Sequence, residues 1–472
     1  MIGRADFWRH GVKEAISRRR FCQILAASAA ASGRVAGAAP EKPPNVIMLL
    51  TDDQRWDTLG VYGNKQLPTP NIDRLGRQGV VFDRGYVTTS VCCTSRASFL
   101  TGQYGRRHGI FDFGRPLSAD AFKETYPAIL RAAGYHTGFI GKYGIGTSVP
   151  ETEFDFVAAY SGQGHYWNQE PDGSISHITV KNGDQAIEFL KQRPKQRPFL
   201  LSVCFKAPHE DDQDPYFRFE PQDEAVLAGV TIPKPGSYNM DGYDRDFPAW
   251  FLDHNAGRNS FMGQFSTDER YQRNTRSYLL TIYGVDRVVG RILKELEEQS
   301  GLENTVIFYA SDNGYFFGEH GLGGKWYGYE PSIRVPLIMA DFRAQPLGLR
   351  TRALALNIDV APTIISFAGL PAPARMQGSD LRQLLDPERA SRWRSEFFYE
   401  HLLDHPQIPK TEGLVGTRLK YMRYFRDADS FEQVFDLETD PEELKNLVKE
   451  PSMASTVAEL RERTRRLAHD LN

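Results

Sequence analysis

The sequence predicts an α/β fold: a large, mostly parallel central sheet with helices on both faces, followed by a smaller C-terminal α+β subdomain. Three observations point there. Short, nearly continuous apolar runs alternate with stretches of helical period. Several of those runs stop abruptly at polar, chemistry-bearing residues. From about residue 350 the alternation gives way to short strand-like segments and one long charged stretch at the end.

The elements follow in order. Residues 45–50 are apolar at every position after Asn45, which suits a strand buried on both faces, as a parallel sheet demands. Residues 80–82, 137–140, 199–205 and 305–310 are read as strands in the same way. Helical patterns at 70–78, 96–102, 126–133, 183–191 and 274–299 fall between them. Residues 210–270 are rich in Asp, Tyr, Phe, Gly and Pro without a period, and are read as long loops of the kind that build substrate pockets. Further on, 359–368 reads as a helix, 397–400, 419–425 and 434–437 as short strands, and 452–471 as a charged closing helix.

Composition excludes some classes. Of the 472 residues, 40% are apolar and 25% charged, the usage of a globular chain, and the net charge of -3 gives no basic field to draw in nucleic acid. The N-terminus stands apart. Ser17-Arg18-Arg19-Arg20-Phe21 precedes an Ala-rich stretch at 22–31, and Ala36-Gly37-Ala38 offers small residues to a signal peptidase. This resembles a twin-arginine export signal over residues 1–39, which implies an exported protein, periplasmic or extracellular. Beyond it no apolar run has transmembrane length. Cys22 belongs to that leader. Cys92, Cys93 and Cys204 form neither a disulfide framework nor a CxxC zinc pattern, so cysteine here reads as chemistry at one spot.

In parallel sheets ligands gather at the carboxyl ends of strands. The apolar runs end at Asp52-Asp53, before Lys142, and at Asp312-Asn313, and His209 follows another closely. Three carboxylates and an amide oxygen make a hard oxygen cage suited to Ca²⁺, and less well to Mg²⁺. Taken alone, each Asp pair reads more readily as a turn former or cap than as a metal ligand.

The segment Cys92-Cys93-Thr94-Ser95-Arg96-Ala97-Ser98-Phe99-Leu100-Thr101-Gly102 resembles the signature of the type I, formylglycine-dependent sulfatase family of the alkaline phosphatase-like superfamily. Gly134-Tyr135-His136-Thr137-Gly138-Phe139-Ile140-Gly141-Lys142 is similar to the family's second signature, and Ala207-Pro208-His209 to its proline-histidine motif. Ser311-Asp312-Asn313-Gly314, Gly318-Glu319-His320-Gly321, Lys325 and Ile333-Arg334-Val335-Pro336 follow in family order, as do 359–363 and 435–441. Two positions depart. Thr94 stands where the family usually has Pro or Ala, and Gly144 where many members carry histidine, though glucosamine 6-sulfatases of the family also lack that histidine.

The resemblance implies a catalytic domain at 40–349 and a C-terminal subdomain at 350–472. It implies that a separate maturation enzyme oxidises Cys92 to formylglycine. The hydrate of that aldehyde has two hydroxyls, one to attack sulfur and one whose deprotonation expels the covalent sulfate. Asp52, Asp53, Asp312 and Asn313, with residue 92, would hold Ca²⁺. Arg96, Lys142 and Lys325 would neutralise sulfate oxygens, and His209 with Lys325 would protonate the leaving oxygen. Backbone N–H groups from a helix start at Ser95 would join the anion site. His320 is a candidate base in place of the absent histidine. His165, Trp167, Glu400, His401 and His405 are candidate contacts for a sulfated saccharide. Two competing functions are a phosphonate or phosphate ester hydrolase of the same superfamily and an unmatured, non-catalytic binding protein.

Overall fold

The computed structural model describes residues 42–211, 216–239, 247–252 and 255–471. The export-signal reading of 1–39 lies outside the described residues. Residues 43–472 cluster as one compact unit. Among the described residues no helix is long and apolar enough to cross a membrane.

The central sheet takes its strands from β1 (Asn45–Thr51), β2 (Val80–Tyr86), β3 (His136–Lys142), β4 (Phe156–Tyr160), β5 (Phe199–Cys204), β6 (Thr305–Ser311), β7 (Leu337–Asp341) and β8 (Leu349–Leu356). Their order is β8-β2-β7-β6-β1-β5-β3-β4. β7 runs antiparallel to both its neighbours, and the remaining pairings are parallel. β1 is buried along its whole length, so its apolar residues serve two cores by simple alternation. Ile47 and Leu49 pack with α1 (Pro70–Gln78) through Ile72 and Leu75. Val46, Met48 and Leu50 pack on the opposite face with α2 (Cys92–Thr101) and α3 (Tyr126–Ala132). The first face is completed by α4 (Ile178–Gln192) and α5 (Asp268–Glu298), the second by α6 (Val360–Phe367).

Three boundaries differ from the sequence reading. α5 starts at Asp268 and not at 274, because the Thr267 hydroxyl caps it by accepting from the Arg270 N–H at 3.2 Å. The stretch read as loop holds a 3-10 turn, Pro221–Leu227, and a helix, Ala256–Gln264, capped by Asn255. The segment from 350 was expected in the C-terminal unit. Instead β8 extends the central sheet beside β2, and α6 joins its core.

The smaller sheet begins at β9 (Glu396–His401) and continues antiparallel through β10 (Lys410–Gly416), β11 (Leu419–Arg426) and β12 (Asp429–Asp436). α7 (Ala454–Asp470) packs Val457 and Leu460 into the same aromatic core as Phe397 and Tyr421. An ion cluster ties this sheet to the segment after Lys325. Lys420, fully buried on β11, lies 2.8 Å from both Glu330 and Glu443. Substituting Lys420→Met strands two carboxylates in the interior and should lower stability by ~3–5 kcal/mol. The measurement is the urea midpoint at unchanged slope. A loss under about 1 kcal/mol, the size of an exposed pair, would count against the clamp.

Candidate active site

Strands β6, β1, β5 and β3 are consecutive in the sheet, so their carboxyl ends share one edge. Asp312-Asn313, Asp52-Asp53, His209 and Lys142 meet there. Backbone bonds set the spacing: the Asp312 N–H donates to the Thr51 carbonyl at 3.0 Å, and the Asp52 N–H to that of Ala207 at 3.2 Å.

Cys92 is the first residue of α2, a turn earlier than the sequence suggested. The Ser95 N–H already bonds the Val91 carbonyl at 2.9 Å, so it is not the free anion donor expected. The first N–H groups of a helix lack intrahelical partners, so the start of α2 still favours an anion in general terms. Cys92 is wholly buried, yet its sulfur faces charge and not the apolar core. Sγ donates to Asp52 Oδ1 at 3.4 Å and accepts from Lys325 Nζ at 3.3 Å. Burial, reinforced by Asp52, pushes its thiol well above the usual range. Cys93 and Cys204 are apolar core residues, as small buried cysteines usually are.

Around that sulfur, three cations interlock with three carboxylates. Lys325 bonds both oxygens of Asp53, at 2.5 and 2.6 Å. Arg96 reaches Asp312 at 2.7 Å and Asp52 at 3.2 Å, and Lys142 pairs with Asp52. Burial pushes Asp53 up to about 6, with Lys325 opposing and Asp52 adding to the rise. Burial and the Asp52 charge raise Asp312 to about 7. Burial acts on Asp52 too, but Lys142, His209, Arg96 and Lys325 outweigh it and hold that carboxyl well down. His209 Nδ1 donates to the Glu210 carbonyl at 2.6 Å, which leaves Nε2 toward Asp53 at 3.7 Å. Burial and Lys325 hold its pKa well below the ordinary value.

The donors suit a divalent ion. Ligand atoms of Asp52, Asp53, Cys92 and His209 lie within 4.8 Å of one another. Asn313 donates its amide hydrogen to Asp53, while its Oδ1 is buried without a hydrogen-bond partner among the described residues. A buried acceptor left so is costly unless a cation answers it. Adding one divalent ion to three cations and three carboxylates leaves two positive charges in excess, a match for an anionic substrate.

Sequence reading missed Gln163. Its Oε1 accepts from Lys142 Nζ at 2.5 Å, out of a loop whose flanking Gly162 and Gly164 have positive φ. A glycine-bracketed glutamine has no period and no motif to announce it. Other expectations are corrected. Glu400 is fully buried and bonded to Arg106 at 2.7 Å, and His401 is equally buried, because both faces of β9 are covered. Neither side chain is exposed to solvent. His320 stacks on Tyr329 at 4.3 Å, with its pKa pushed down to about 3 by burial and Lys420. His165 and His405 are exposed, and Trp167 is half-buried, edge-on to His177. His108 closes its turn, accepting from the Ile110 N–H at 3.1 Å.

Gly144 has a physical reason to lack a side chain. Its φ is +70°, and a Cβ there would lie 2.8 Å from Cδ of Arg96. Gly144→His should therefore cost ~1–3 kcal/mol of stability through strain. It should also lower turnover about tenfold or more by displacing Arg96. Thermal melts and steady-state rates read both, and a gain in turnover would contradict the crowding.

Comparison with known proteins follows from this geometry. Residues 44–370 match the sulfatase family, and residues 318–470 match the C-terminal part of N-sulphoglucosamine sulphohydrolase. An N-acetylglucosamine-6-O-sulfatase of Bacteroides thetaiotaomicron is 28% identical over 89% of this chain and 85% of its own length. A solved structure of an enzyme in complex with its substrate D-glucosamine-2-N,6-O-disulfate superposes with a TM-score of 0.77. It is 27% identical and covers 91% of this chain and 98% of its own. A phosphonate monoester hydrolase from Silicibacter pomeroyi shares the fold, with a TM-score of 0.75 at 23% identity over 90% of this chain and 95% of its own.

Proposed function

The chain belongs to the sulfatase family, and from that premise we propose that it hydrolyses sulfate esters of saccharides, with 6-O-sulfated glucosamine units as the substrate class. The observation that carries this is the buried Cys92 sulfur, held between Asp52 and Lys325 at the end of β1. The similarity to a glucosamine 6-sulfatase, and to a structure holding a doubly sulfated glucosamine, supports the sugar.

Asp52, Asp53, Asp312 and Asn313 are the proposed holders of Ca²⁺, with the unpartnered Asn313 Oδ1 as the supporting detail. A divalent ion there supplies charge stabilisation, and an aldehyde made from Cys92 by a maturation enzyme supplies the nucleophile. The chain's own groups do the rest. Arg96, Lys142 and Lys325 furnish positive charge for the ester's sulfate oxygens. Gln163 accepts a second hydrogen bond from the Lys142 ammonium and restrains it. His209, whose Nδ1 hydrogen is committed to Glu210, gives the leaving oxygen a proton only from Nε2. An anionic ester arriving beside the ring raises its pKa and loads that proton. His165, Trp167 and His405 are proposed saccharide contacts around the mouth.

The test is a matched pair of aryl sulfate and aryl phosphate esters, together with glucosamine 6-sulfate, on protein purified with its leader removed. Sulfate turnover exceeding phosphate turnover by about a hundredfold or more is expected, ~2.7 kcal/mol of discrimination. Preference for the phosphate or a phosphonate would transfer the chain to the hydrolase chemistry of its structural neighbour. Inertness toward all of them, with an unmodified thiol at Cys92, would make it a binding protein.

A further inference from the structure

Beside Lys142 the surface opens into a cavity of about 250 Å³. Phe113, Thr147, Ser161 and Gly162 form its walls, and Lys142 and Gly144 its floor. Phe113 is 40% exposed, one of few large apolar side chains turned to solvent. Nothing lies within 4 Å of where a Gly162 Cβ would stand, so the mouth is open. At the floor, Gly144 contributes no side chain and the Lys142 ammonium is held by Asp52 and Gln163. The cavity therefore abuts the reacting groups without containing them.

Its chemistry selects an occupant. A pyranose presents one face of C–H bonds and a rim of hydroxyls. An exposed aromatic ring takes the face, and the Thr147 and Ser161 hydroxyls take the rim. The volume falls below the ~300–1,000 Å³ of pockets that enclose drug-sized ligands, so it suits one ring and not an oligosaccharide. Among the lining residues the one cation is Lys142, which the reacting sulfate itself engages in the function above, so the cavity offers no further charge to a second sulfate. Resting on the sulfatase function above, we propose that this cavity is a saccharide subsite holding one uncharged face of a substrate pyranose against Phe113.

The experiment compares wild type, Phe113→Ala and Phe113→Trp. Each is assayed on a small aryl sulfate and on a disaccharide bearing 6-O-sulfated glucosamine. Binding of the desulfated disaccharide is measured in parallel by calorimetry. Phe113→Ala should lose about tenfold in kcat/KM on the disaccharide, carried by KM, and stay within about twofold on the aryl ester. Its calorimetric affinity should fall by a similar factor, and Phe113→Trp should retain both. Equal losses on the two substrates, or unchanged disaccharide kinetics and binding, would overturn the subsite. If wild type hydrolyses neither sulfate ester, the sulfatase function fails instead, and calorimetry still decides the subsite.

Discussion

Replacing Cys92 by alanine should lower sulfate ester turnover on the order of 10³-fold or more, leaving only what positioning and charge supply. Stability should barely change. The side chain lost is small, and Asp52 and Lys325 keep other partners in Lys142 and Asp53. The variant thus separates chemistry from folding in one substitution. Mass analysis of the peptide around residue 92 completes it: wild type should carry an aldehyde there and not a thiol. A variant retaining a tenth of wild-type activity would exclude residue 92 as the nucleophile.

The second large effect concerns the carboxylate cluster. Calcium added to metal-stripped protein should raise its melting temperature, by the equivalent of ~2.7 kcal/mol at a hundredfold excess over Kd. Asp53→Asn should erase that increment and lower turnover by about 10³-fold. The physical ground is crowding of like charge. Asp52, Asp53 and Asp312 share one buried site, and burial with mutual repulsion lifts Asp53 and Asp312 from the ordinary carboxylate range. A divalent ion relieves both. Asparagine keeps the shape but leaves Lys325 without its counter-charge in the interior. Scanning calorimetry with and without calcium, and with magnesium in its place, measures the effect. A variant that still gains stability from calcium would remove Asp53 from the proposed ligand set.

Much of this arrangement is legible in the sequence. β1 is readable because both its faces are buried, which forces an unbroken apolar run ending at two aspartates. The meeting of Asp53 with Asp312 is not readable from spacing, since 259 residues separate them and only the strand order joins them. The family pattern supplied that link. The start of α2 escaped because Val91 stands at the cap, where no Ser, Thr, Asp or Asn signals a helix start. β8 escaped because its burial is uneven, exposed or half-buried over 349–353, which reads as loop texture. Glu400 and His401 stood as candidate saccharide contacts because their stretch resembles sulfatases whose C-terminal unit lines the substrate pocket. Here Arg106 satisfies the carboxylate from within.

The concealment of Cys92 also sets a clock on biosynthesis. If a maturation enzyme oxidises Cys92 as proposed, the full burial of that side chain favours oxidation before the fold closes. Lys325, which hydrogen-bonds that sulfur, is translated 233 residues later. At ribosomal speeds of ~5–20 residues per second that interval is roughly 10–50 s. Slower elongation downstream of Cys92 would lengthen the window for oxidation, and faster elongation would leave more chains permanently as thiols.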